Sequence, residues 1–268
     1  MLRQTISFLK KDFLNESSYK FSFIYNLFGI ILSILSYFYI NQLFGSKISP
    51  HLGEFGINYF AYCLVSIAFF SYVGVGLGSF SERIRTEQMQ GTLEAIMLTP
   101  VKISTILSSL ALWNLILATI DMMIYWALGI FLFKIDFTNI NLLSALIVLL
   151  LTIITFSGLG IISASFIIVF KQGNPASWII SSVEGLICGV YFPVSVLPGW
   201  LQLLAKCFPV TYAIRAIELA VYKGYTPVQL KEEIIFLLLF ALLLTPLSIS
   251  CFRYSLKKAR KEASLAQY

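Results

Sequence analysis

The sequence predicts an all-α integral membrane protein with six transmembrane helices. An N-terminal amphipathic interfacial helix, a cytoplasmic loop helix and outer re-entrant helices between spans five and six complete the expected fold. Three observations carry this. First, 58% of the 268 residues are hydrophobic and only 12% charged, with mean hydropathy +0.85, where a soluble domain carries about 25% charged residues. Second, four stretches hold no formal charge: 26 residues between Lys20 and Lys47, 27 between Glu54 and Glu82, 34 between Asp136 and Lys171, and 19 between Glu233 and Arg253. Each can hold the roughly 20 apolar residues that cross the hydrocarbon core; four in one chain exclude a soluble fold. Third, lysine and arginine fall mainly on one side of the implied spans, as the positive-inside rule requires.

Taken in order, residues 1–20 open with Leu2, Ile6, Leu9 and Phe13 on one helical stripe and Arg3, Lys10 and Lys11 off it. Such a segment suits a helix lying at the interface with its cations near anionic headgroups; an ordinary solvated leader is the alternative. A cleaved signal peptide is not expected, because the apolar stretch that follows is too long. Spans are predicted at 22–44, 57–80, 104–132, 142–170, 176–192 and 233–252. With the N-terminus inside, only Lys47, Lys134, Lys206, Arg215, Lys223 and Lys231 lie outside, and the basic tail 253–268 returns to the cytoplasm. The net charge of +6 is thereby a topology signal, and nucleic acid is not implied.

Two segments differ from spans. The inner loop 81–103 places Leu93, Ile96 and Met97 at i, i+3, i+4, an apolar face on a short helix over 85–98. Glu87 and Glu94, seven apart, would share a face two turns from each other, and Pro100 would stop the helix. A charged amphipathic helix between spans suits docking in a groove of a soluble partner; a plain connecting turn is the alternative. The outer segment 193–231 is apolar and aromatic but broken by Pro193, Pro198 and Pro209, and punctured by Lys206, Arg215, Glu218 and Lys223. Two short helices fit between the prolines, near 199–206 and 210–222. Broken backbone at membrane depth requires protein or a water-filled cavity around it, which suggests a re-entrant hairpin; a cap lying on the headgroups is the other form.

These two segments also carry a resemblance. Glu87 … Gly91-Thr92-Leu93-Glu94 … Thr99-Pro100 is similar to the signature of ABC-2 type transporter permeases. Tyr191-Phe192-Pro193-Val194-Ser195-Val196-Leu197-Pro198-Gly199-Trp200-Leu201 … Pro209-Val210-Thr211-Tyr212 resembles a second segment of the same family. The drug-resistance and lipo-oligosaccharide export branch looks most similar. Gln90 departs from the acidic residue frequent before the glycine. With the six-span layout the resemblance covers essentially the whole chain, a single transmembrane domain over 1–268. It implies the membrane subunit of an ATP-driven exporter in the plasma (inner) membrane. Two copies would pair, each docking a separate cytoplasmic ATPase through the 81–103 loop, with ATP and Mg on the ATPase and no cofactor on this chain. Glu87, Gly91, Thr92, Leu93, Glu94 and Pro100 are the expected coupling residues. Pro193, Pro198, Trp200 and Pro209 would shape the outer gate.

The chemistry agrees with a transport role and argues against the rivals. No GxxxxGK[ST] phosphate loop occurs, so nucleotide energy would come from another polypeptide through closure of the ATPases. Asp121 and Glu184 lie inside predicted spans, where a charge at the bilayer centre costs about 2.5–3.5 kcal/mol on insertion scales. Each should therefore face protein or water, as a cargo contact or a polar tether, or else sit near the outer interface. Gly74-x-x-x-Gly78 and Gly185-x-x-x-Gly189 offer small faces for close packing, the second with span one at a dimer seam. A membrane-embedded lipid-modifying enzyme would want clustered acids or histidines, and His51 is the only histidine. A proton-coupled secondary transporter would favour inverted repeats, and none is visible. Cys63, Cys188, Cys207 and Cys251 show no metal-ligand spacing, and a Cys188–Cys207 disulfide is left open. Membrane lipid and an amphiphilic, drug or glycan cargo complete the expected partners.

Overall fold

The computed structural model describes residues 6–7, 9–10, 13–14, 20–89, 91, 103–135, 137–170 and 182–261. Among them the chain is helical without strands. Five long helices form the bundle: α1 (Lys20–Ile48), α2 (Tyr59–Met89), α3 (Ile103–Phe133), α4 (Leu142–Phe170) and, last in the chain, α7 (Lys231–Lys261). Between α4 and α7 lie a short helix at 182–187, α5 (Gly199–Ala205) and α6 (Pro209–Tyr222). All five long helices are apolar enough to cross a membrane. An apolar run in lipid folds as a helix because its peptide groups find no partners except each other.

Helix starts follow local chemistry. The Asn58 side chain accepts the Ala61 amide at 2.8 Å and opens α2; Asn141 accepts the Ser144 amide at 3.1 Å and opens α4. Each fills one of the vacant donors of a first turn. Pro209 occupies the first turn of α6, where its missing N–H costs nothing. Glu232 and Glu233 in the first turn of α7 complement its dipole.

The two ends of the bundle are distinct. At the loop end, Tyr62, Val65 and Phe69 of α2 pack with Val148 of α4, Val210, Ile214 and Ile217 of α6, Leu230 just before α7, and Leu237 of α7. At the opposite, basic end, Phe80 and Ile84 of α2 meet Ala164, Ile167 and Ile168 of α4 and Phe252, Leu256 and Ala259 of α7. The chain is therefore at the basic end when α4 finishes at Phe170. It is at the loop end by Gly189, whose carbonyl accepts the Tyr62 hydroxyl.

Two of the expected features change. The predicted span 176–192 is described only from residue 182. Its helix stops after residue 187, and Gly189 adopts φ +91°, so the helix does not run on to 192. Within one chain, neither predicted small face makes a close helix–helix crossing at its glycines. Gly189 lies outside a helix, and a Cβ on Gly74 would meet nothing within 4 Å. The close approach is instead between Gly76 of α2 and Gly160 of α4, where a Cβ on either would collide with the other helix: with Phe156 from Gly76, and with the Gly76 carbonyl from Gly160. Backbones this near leave room only for glycine.

The N-terminal residues described are helical, with Ile6, Lys10 and Phe13 exposed and the Phe13 ring edge-on to Trp113 of α3 at 6.2 Å. The short helices expected near 199–206 and 210–222 are α5 and α6.

Candidate functional site

The expected coupling segment begins where α2 ends. Glu87 lies in the last turns of that helix, and Gly91 adopts φ +68°, the left-handed conformation in which helices commonly stop. Of the short helix expected over 85–98, only residues 85–89 and Gly91 are described. Residues 85–89 continue span two as the last turns of α2. Thr92, Leu93, Glu94 and Pro100 lie outside the described residues.

At the loop end the expected gate prolines each set a turn. Pro193 is buried and precedes a 3-10 turn at Val194–Val196, Pro198 stands at the start of α5, and Pro209 at the start of α6. Trp200 on α5 is 66% exposed. Residues 199–222 are thus two helices rather than one span, because the prolines cannot supply backbone donors within a continuous helix.

Helix α6 lies among the loop ends of the bundle. Its Ala220 carbonyl accepts the Asn141 amide at 2.9 Å, Tyr222 donates to the Ala61 carbonyl at 2.8 Å, and Ser144 donates to the Tyr225 carbonyl at 2.6 Å. Deeper, Ser66 of α2 donates to Glu218 at 2.7 Å. Ser66 is two turns past Tyr59, about 10 Å along the helix, so α6 is wedged in the bundle rather than resting on it. Glu218 is fully buried, and its second oxygen has no partner among the described residues. On the solvent side of the same helix, Arg215 joins two other elements. Its Nη2 reaches Glu54 of the first loop at 2.7 Å and its Nη1 reaches Glu233 of α7 at 3.2 Å.

The two acids expected inside spans go to different places. Asp121 accepts a hydrogen bond from Asn26 of α1 at 2.9 Å, the polar tether between helices that was one of its expected roles. Glu184 is buried in the short helix at 182–187, with one oxygen unpartnered among the described residues. Gly185 beside it faces the Tyr191 ring. The cysteines are free: Cys63 and Cys188 buried, Cys207 exposed and Cys251 between, so Cys188 and Cys207 are not bridged.

Sequence reasoning did not assign the Glu54–Arg215–Glu233 cluster, the Ser66–Glu218 bond or the Gly76–Gly160 crossing. Spacing within one segment cannot reveal partners in other segments, such as Ser66 and Glu218 or Glu54 and Arg215, 152 and 161 residues apart. One available signal was Glu218 itself, the only charge between Arg215 and Lys223 in an alanine- and isoleucine-rich helix.

No curated protein matches the chain significantly. The family model described as ABC-2 type transporter matches residues 3–222, most of the chain. That family comprises membrane permeases that lack a nucleotide-binding domain and work with an ATP-binding subunit. A multi-pass helical bundle in which α2 leads from the packed loop end to the expected docking segment is in keeping with this, and the chain belongs to the ABC-2 type transporter family as the permease subunit of an ABC transporter.

Proposed function

We propose that this permease exports an amphiphilic cargo, a lipid-like molecule, drug or glycan conjugate, across the plasma membrane, as two copies driven by two cytoplasmic ATPase subunits. In this reading there are six spans, the fifth running up to the short helix at 182–187. Its support is that the chain passes from the basic-end cluster at α4 to the loop end at Gly189. The basic end faces the cytoplasm, residues 1–20 form the interfacial helix, and 193–231 is a half-inserted outer gate. Glu87, Gly91, Thr92, Leu93, Glu94 and Pro100 form the surface that receives the ATPase.

The observation that carries the mechanism is the continuity of α2. Its 31 residues make one rod of about 46 Å, from the predicted docking segment to the buried packing against α6. Movement imposed beyond Met89 reaches Ser66 and Glu218 through a single rigid element. Because α6 is also tied to Glu54 and α7 through Arg215, tilting α2 would shift the outer gate relative to its neighbours.

The test is co-purification of the permease with its ATPase, followed by ATP turnover in the presence of candidate amphiphiles. The reading expects a stable complex, stimulation by cargo, and loss of both on Glu94→Arg. A permease that retains no ATPase, and whose transport is unchanged by Glu94→Arg, contradicts it.

A further inference from the structure

A cavity of about 430 Å³ opens at the loop end between the first loop, α5, α6 and the first turn of α7. Pockets that hold small ligands span roughly 300–1,000 Å³. Tyr62, Cys188 and Gly189 line it, and so do Tyr212 and Phe236, whose rings stack at 4.5 Å and 15°. Its charges are the informative part. Arg215 pairs with both Glu54 and Glu233 and also feels Glu232, so this cluster carries more acid than base. Lys206 and Glu232 also line the cavity and make no ion pair among the described residues. The lining thus offers an ammonium just past the end of α5 and, from the first turn of α7, a carboxylate on an acid-rich side, beside an aromatic pair.

We propose that this cavity binds a zwitterionic headgroup, a phosphodiester joined to an ammonium, carried by an amphiphile. The phosphate meets Lys206, with the His51 ring also lining the cavity. The ammonium meets Glu232 and the Tyr212–Phe236 pair, since a ring face attracts a cation and charge-assisted contacts are the strong ones. A purely anionic group would face Glu232, and a purely cationic one would leave Lys206 unanswered. The cavity's volume suits a headgroup and not acyl chains. On α5, which contributes Gln202 to the lining, Trp200, Leu203 and Leu204 are 66%, 70% and 46% exposed, an apolar bank for the tail. The site is separate from the coupling segment and does not depend on the direction of transport.

The experiment is calorimetric titration of the purified full chain in maltoside, without ATPase. The probes are glycerophosphocholine, dihexanoyl phosphatidylcholine, dihexanoyl phosphatidylglycerol and choline. Saturable binding is expected for at least one phosphocholine probe, with phosphatidylglycerol and choline weaker by at least about tenfold. Binding of both phosphocholine probes points to headgroup recognition alone, and binding of the acylated one only points to a membrane lipid; either supports the site. Lys206→Gln and Glu232→Gln should each weaken binding by at least about tenfold. Both side chains are exposed, and if one variant loses its monodisperse elution the other decides. No saturable phosphocholine binding, equal binding of phosphatidylglycerol, or wild-type affinity in the variants overturns the proposal.

Discussion

Helices α1 and α2 flank the same loop and are similarly apolar, yet 72% of the most apolar 18-residue stretch of α2 is buried against 11% of that of α1. Helix α2 is surrounded by α1, α3, α4 and α6, while α1 leaves Phe21, Ile24, Tyr25, Phe28 and Leu43 exposed. Hydropathy shows that a segment can enter a bilayer; it does not tell which segment is the hub. What separates the two helices is small and polar side chains at chosen depths. On α2, Gly76 permits the α4 backbone to approach and Ser66 reaches Glu218. On α1, Ser36 bonds back to the Leu32 carbonyl of its own helix, and the polar links to other helices, Asn26 to Asp121 and Asn41 to the Phe60 amide, come from partly exposed or exposed positions.

That contrast can be broken by substitution, and the largest effect is expected at the glycine crossing. Gly160→Leu should abolish monodisperse folded protein, because the added atoms meet the Gly76 carbonyl, which cannot rotate away. Overpacking costs typically 1–3 kcal/mol, and a backbone obstacle puts this case at or beyond the upper end. Gly74→Leu, where a Cβ meets open space, should leave elution and thermal midpoint close to wild type. Equal tolerance at both positions would contradict the packing described. Next comes Ser66→Ala, which deprives a buried carboxyl of its donor and should cost about 1–3 kcal/mol. The matched Ser36→Ala on α1 should change the unfolding midpoint little.

Surface links should matter less. Arg215→Ala and Glu54→Ala combined in a double-mutant cycle should show a coupling of about 0.5–1 kcal/mol, reduced by added salt. Arg215 is 47% exposed on its side chain, so screening keeps the value modest. Arg215→Lys should restore only part of it, because one ammonium replaces a fork serving two carboxylates. Smallest is Asn26→Ala, which removes the tether from α1 to Asp121. Interhelical hydrogen bonds in a membrane average about 0.6 kcal/mol, and a fall in midpoint of a few degrees at most is expected.

Much of this architecture was legible in the sequence, and the reason is the bilayer. A long charge-free run has one structural solution in lipid, so α1, α3 and α4 begin and end within about four residues of their predicted spans. Prolines marked α5 and α6 equally well, because their chemistry is local. Legibility failed where partners are distant or a backbone conformation decides. Gly189 has positive φ and lies beyond the end of a helix that the predicted span would have continued to residue 192. The buried role of Glu218 depends on Ser66 in another span. Pro246 within α7 went unremarked because the apolar pattern runs through it.

Cysteine accessibility in intact cells tests most directly the claim that α2 links a cytoplasmic docking segment to an outer, packed gate. Cys207, exposed beside α5, reports on the loop end, and Gln90→Cys combined with Cys207→Ser reports on the other. A membrane-impermeant maleimide is expected to label Cys207 in whole cells and to reach the Gln90→Cys thiol only after permeabilisation. Labelling of the Gln90→Cys thiol from outside, with Cys207 protected until the membrane is opened, would contradict it.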